Sequence, residues 1–175
     1  MLAAALVLCG PALRAQPSRP SEYQVKAAYL FNFGRFAQWR VPVDAGDTYQ
    51  FCVLGRDPFG PVLDKTVASG VMDGRKAVVR RITQHKDAPG CRVVFVSASE
   101  EAQLAQTLSG LSIWRPLTVS DMPDFTKRGG MIQFIADADR VRFEVNLASA
   151  DDAGITLSAE LLKVAVQVRR VRPGA

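Results

Sequence analysis

The residues able to do chemistry are few. One histidine, His85, stands in the loop-like stretch QHKDAPG beside a Pro-Gly turn. A zinc centre takes three or four His, Cys or carboxylate ligands, and no such set gathers in sequence around His85. A Ser-His-Asp triad would also need His85, and no G-x-S-x-G elbow accompanies it. Glu100-Glu101 and Asp151-Asp152 are adjacent pairs whose side chains diverge, so they suit helix starts better than a catalytic dyad. GRDPFGP (55–61) follows a strand-like run and precedes a helix-like one, where phosphate loops occur. Gly55 and Gly60 match the glycine spacing of G-x-x-x-x-G-K-[ST], but Pro61 and Val62 replace the phosphate-reaching lysine and the hydroxyl. The dinucleotide pattern G-x-G-x-x-G is absent. The chain reads as a non-enzyme with no catalytic residues, no metal site and no cofactor.

Two other stretches carry binding potential. In RVRFEVNL, Val141, Phe143, Val145 and Leu147 share one face at period two, and Arg140, Arg142, Glu144 and Asn146 share the other. The polar face reads either as solvated or as a strip that meets a ligand or partner through Arg142, Glu144 and Asn146. YLFNFGRFAQW (29–39) holds five aromatic residues around Arg35. On a helical projection Gln24, Asn32, Arg35 and Gln38 fall on one arc about 120° wide, flanked by Phe31 and Trp39. One reading buries this helix between the sheet and a C-terminal neighbour. The other offers Phe31, Arg35 and Trp39 to a partner or ligand, since Trp, Tyr and Arg are enriched at binding hot spots.

The elements that must position these residues follow from pattern and punctuation. Ser21 is an N-cap for a helix from Glu22 to about Trp39, closed by Arg40-Val41-Pro42. Strands are expected over 48–55, 75–82, 91–98 and 114–121, with helices over 58–69 and 99–110 between them. MIQFIAD and RVRFEVNL read as a hairpin about the ADAD turn. ITLSAELLKVAVQVRR reads as a closing helix with Leu157, Leu161, Leu162, Ala165 and Val168 on its apolar side. This alternation predicts a single-domain α/β sandwich over residues 22–170. Its mostly parallel sheet is flanked by helices and ends in an antiparallel hairpin and a closing helix.

Bulk composition agrees with one globular domain: 175 residues, 48% hydrophobic and 22% charged. The net charge of +5 is spread along the chain without a basic block, which argues against nucleic acid as a partner. The N-terminal run from Leu2 to Leu8, the small residues after it and the Pro-rich stretch 16–21 resemble a secretory signal cut after Ala15, followed by a flexible leader. Cys9 follows the large Leu8, which argues against lipidation. Removal of the signal leaves Cys52 and Cys91, either a disulfide of an exported protein or two buried thiols on neighbouring strands.

The segments YQVKAAYLFNFGRFAQW, FCVLGRDPFG, GCRVVFVSASE, LTVSDMPDFTKRGGMIQF, RVRFEVNL and ITLSAELLKVA occur in this order. Together they resemble the YfiR family of periplasmic regulators over almost all of residues 22–168. The resemblance implies an α/β fold, a periplasmic location and no enzymatic activity. It implies a partner, the periplasmic sensor domain of an inner-membrane diguanylate cyclase, held inactive so that cyclic-di-GMP and biofilm formation stay low. It also implies capture by an outer-membrane lipoprotein. Cys52 and Cys91 match a family disulfide, whereas a second family cystine has no counterpart here. The alternative is an accessory protein that senses a small ligand for a sensor histidine kinase. A homodimer is expected.

Overall fold

A computed structural model describes residues 20–40, 46–68, 70–137 and 140–170. The expected signal sequence and residues 16–19 of the leader lie outside the described residues. Among the described residues no helix is long and apolar enough to cross a membrane.

The first helix, α1 (Glu22–Phe36), begins as its sequence dictates. Ser21 Oγ accepts from Gln24 N at 3.3 Å, and Gln24 Oε1 accepts from Ser21 N at 2.6 Å, a capping box. It stops three residues earlier than expected. Ala37 turns extended, and Ala37–Trp39 form β1, antiparallel to β9 (Ile155–Leu157). The helical pattern of the sequence extends through Trp39, but pairing with a segment more than a hundred residues away captures the last turn.

The remaining elements run in chain order: β2 (Thr48–Leu54), α2 (Pro61–Val67), β3 (Val71–Met72), β4 (Arg75–Ile82), β5 (Cys91–Val96), α3 (Leu104–Ser112), β6 (Leu117–Ser120), β7 (Ile132–Asp137), β8 (Arg140–Asn146) and α4 (Leu147–Asp152). After β9 come α5 (Ala159–Val164) and β10 (Gln167–Arg169). Eight strands form one sheet in the order β10-β8-β7-β6-β5-β2-β4-β3. The strands from β4 through β2, β5 and β6 to β7 are parallel to their neighbours. The β7–β8 hairpin is antiparallel, as expected.

The closing segment departs from the expectation. It is not one helix but β9, the six-residue α5 and β10, which adds parallel to the open edge of β8 with Gln167 opposite Glu144. Ala165, at φ −68° and ψ 136°, ends the helix. The exposed edge of β8 offers unpaired backbone groups that a helix cannot satisfy and a strand can.

Two apolar layers sandwich the sheet. One lies under α1 and α2 and contains Leu30, Phe33, Phe51, Val53, Phe95 and Phe143. The other lies under α3 and contains Leu54, Val94, Val96, Leu104, Leu111 and Phe125. The aromatic excess of α1 is mostly core. Phe33 packs edge-on against Phe143 at 4.9 Å and stacks on Phe134 at 5.5 Å, and Tyr29 reaches Phe143 at 5.5 Å. Gly34 lets the helix approach this closely, since a Cβ there would lie 2.8 Å from the Phe51 ring. On the α3 side, Cys52 of β2 and Cys91 of β5 form a disulfide.

Candidate functional site

The chain leaves β2, places β4 on one side of it and then crosses to place β5 on the other. Such a reversal of strand order opens a crevice at the carboxyl ends of the strands, because the flanking connections diverge there. A cleft of about 340 Å³ occupies this position, lined by Tyr23, Arg56, Asp57, Ser97, Ser99 and Asp121 among others.

Its walls are held by charge pairs. Lys26 of α1 is buried, and its ammonium reaches Asp121 at 2.6 Å and Glu22 at 2.5 Å. Tyr23 donates to the same Asp121 oxygen at 3.1 Å. Burial opposes the charge on Lys26, but the bonds to Asp121 and Glu22 outweigh it and raise its pKa. Burial and the neighbouring Asp121 carboxylate both push the Tyr23 phenol up. On the opposite wall Arg81 clamps Asp57 at 2.9 Å, Asp64 at 2.5 Å and the Gly60 carbonyl at 2.9 Å. Gly55 turns the chain here at φ +87°, and a Cβ on it would lie 2.4 Å from Ser99 Oγ, so only glycine fits. Arg56 N donates to Ser99 Oγ at 2.9 Å, while the Arg56 side chain is exposed at the rim. The cleft thus presents an exposed cation on one side and a half-buried carboxylate with a phenol on the other.

Pattern reading overlooked Tyr23, Lys26, Arg56 and Asp121. The available signal was positional: Asp57 and Asp121 each follow closely on the carboxyl end of an apolar strand run, FCVLGRD and LTVSD.

The residues singled out from the sequence are dispersed. Phe31 stacks on Phe51 at 5.9 Å and lies against Gly70. Arg35 is exposed on the last turn of α1. Trp39, on β1, donates from its indole to the Arg115 carbonyl at 2.9 Å and covers the Arg92 guanidinium at 4.8 Å. The polar strip of β8 divides. Arg142 is exposed and pairs with Asp137 at 3.2 Å. Glu144 and Asn146 are buried and meet on Thr126: its hydroxyl donates to Glu144, and its carbonyl accepts from Asn146 Nδ2 at 2.8 Å. Asn146 also caps α4 by accepting from Ser149 N at 3.2 Å. The strip is therefore solvated only at its Arg140–Arg142 end; the loop after β6 covers the rest. Period two identifies a second face without revealing what covers it.

His85 packs against α3 at Gly110, where a Cβ would lie 2.2 Å from the imidazole. Among the described residues no cluster of three His, Cys, Asp or Glu could hold a metal ion.

Comparison with known proteins places this architecture. Two solved structures share the fold. One is a conserved domain protein from Vibrio cholerae O1 biovar El Tor str. N16961, with TM-score 0.55 and 12% identity over 70% of this chain and 55% of that one. The other is described as the ABC domain in complex with L-Trp from Streptococcus pneumonia, with TM-score 0.55 and 12% identity over 81% of this chain and 60% of that one. The chain spans little more than half of either structure, and at this identity the likeness concerns the fold alone. A search of curated proteins finds no significant match. The YfiR/HmsC-like family profile matches residues 23–166, nearly the whole described domain. The chain therefore belongs to the YfiR/HmsC-like family of periplasmic, non-catalytic regulator domains.

Proposed function

We propose that this protein is a periplasmic regulatory binding protein that inhibits the periplasmic sensor domain of an inner-membrane diguanylate cyclase, lowering cyclic-di-GMP and biofilm formation. The observation that carries the reading is the family match over residues 23–166. Inhibition of this kind needs no reacting group. The regulator binds one conformation of the receptor more tightly than the other and shifts the population across the membrane. Arg35 and Phe36 suit the contact, since they are adjacent and exposed on the last turn of α1. Arginine and aromatic residues, phenylalanine among them, are each enriched at protein interfaces. Capture by an outer-membrane lipoprotein and self-association as a homodimer belong to the same proposal.

Deletion of the protein in a strain expressing its cognate cyclase is expected to raise cyclic-di-GMP, and co-purification is expected to recover that cyclase. Unchanged cyclic-di-GMP in the deletion strain would refute the reading.

A second reading is favoured by one observation, the cleft where the strand order reverses, which is where sheets of this type take small ligands. In that reading the protein senses a small ligand on behalf of a sensor histidine kinase. A compound class that raises the melting temperature of wild type but not of Asp121→Asn would support it.

A further inference from the structure

Arg92 occupies an irregular place in the sheet. Gln50 of β2 pairs with Cys91 of β5, but Phe51 pairs with Val93, so Arg92 is an extra residue, a bulge. Cys91 and Val94 belong to the α3 side of the sheet, whereas Val93 and Phe95 belong to the α1 side. The bulge lets two successive residues share one face. Arg92 joins Val93 on the α1 side, with its guanidinium carbon 4.8 Å from the Trp39 ring and 5.9 Å from the Tyr49 ring.

Across β2 stands a second cation. Tyr49 pairs with Ala77 of β4, and Arg75 precedes Ala77 by two residues, so it lies on the same face. At the amino-terminal end of the parallel strands the order across β5, β2 and β4 is thus Arg92, Tyr49, Arg75.

Neither arginine is satisfied. Arg92 is 7% exposed. Among the described residues, its Nε and Nη1, and Nη1 of Arg75, are sealed from solvent and meet no hydrogen-bond acceptor. Buried N–H groups without acceptors are rare, because water would otherwise bond them. The ring faces of Trp39 and Tyr49 offset part of the cost of burying the charge but accept none of these bonds in the plane of the guanidinium. Asp73 acts on Arg92 through its charge without forming an ion pair with it, and Arg75 repels it. Two like charges converge where, among the described residues, no carboxylate bonds either guanidinium, and a bulge brings one of them there.

We infer that Arg92 and Arg75, framed by Trp39 and Tyr49, form a binding site for a small oxyanion, the carboxylate or phosphate group of a small ligand. The guanidinium plane supplies the donor geometry that such groups match, which a lysine would not. The site lies at the opposite end of the parallel strands from the crevice at their carboxyl ends and does not depend on the proposed regulatory target.

The test is thermal unfolding of the full chain, with its disulfide intact, in sodium chloride, sodium phosphate and sodium succinate at matched ionic strength and pH. Phosphate or succinate is expected to raise the midpoint saturably, by about 3–6 °C at ten times the dissociation constant. The salt that does so identifies the anion class. Arg92→Met and Arg75→Gln should each abolish the shift. In chloride alone Arg92→Met should melt no lower than wild type, since it removes an unpartnered buried charge. Equal midpoints in all three salts would overturn the inference. So would a shift retained in Arg75→Gln, which also serves if Arg92→Met does not fold. A loss in Arg92→Met of the same size in every salt would assign Arg92 a packing role instead.

Discussion

Lys26 and Asp121 join the first helix to the carboxyl end of β6, with Nζ 2.6 Å from Oδ2 and the lysine almost wholly removed from solvent. The same ammonium lies 4.6 Å from the Tyr23 ring. Removing Asp121 leaves the buried ammonium with only the half-exposed Glu22 carboxylate as a counter-charge. Asp121→Asn is therefore expected to destabilise by about 3 kcal/mol in urea unfolding. The double variant Asp121→Asn with Lys26→Met should recover a large part of that loss. An Asp121→Asn midpoint equal to wild type would show that Glu22 alone suffices for Lys26.

The disulfide between Cys52 and Cys91 closes a span of 39 residues and sits within the α3-side core, with Cα atoms 5.8 Å apart. Chain-entropy reasoning gives a stabilisation on the order of 4 kcal/mol for a loop of this length. Reduction should lower the urea midpoint accordingly. Non-reducing peptide mass spectrometry should recover the linked pair, and two alkylatable thiols would contradict it.

The Arg81–Asp64 pair gives an acid signature. The hydrogen bond from Arg81 lowers the Asp64 pKa, outweighing partial burial, which acts to raise it. A carboxylate whose pKa is depressed by folding contributes stability that is fully present above its ordinary value of 3.8 and is lost as pH falls below it. Wild type and Asp64→Asn should therefore differ in urea midpoint at about pH 6 and converge by about pH 2.5. The difference should be small, because both side chains are partly exposed. A gap that widens in acid would reverse the assignment.

Along β8 the two ends should respond oppositely. Asn146→Leu removes a helix cap and the donor to the Thr126 carbonyl, at an expected cost of about 1–3 kcal/mol. Arg142→Ala loses only an exposed ion pair and should stay within about 0.5 kcal/mol of wild type. Chemical denaturation of the two variants compares them directly.

The helix start at Ser21, the β7–β8 hairpin and the alternation that makes a mostly parallel sheet were all legible in the sequence. Each rests on signals that act over a few residues: a side-chain cap, a period of two or 3.6. Only the tertiary structure decided where long-range pairing overrode those signals. Ala37–Trp39 and Gln167–Arg169 became strands because distant backbone groups needed partners. Glu144 and Asn146 became interior because a loop folded over them. Local pattern names the faces of an element but not what will cover them. Arg92 shows the limit most plainly. In CRVVFV it is a lone charge in an apolar run, and only the bulge opposite Gln50 and Phe51 reveals which side of the sheet it faces.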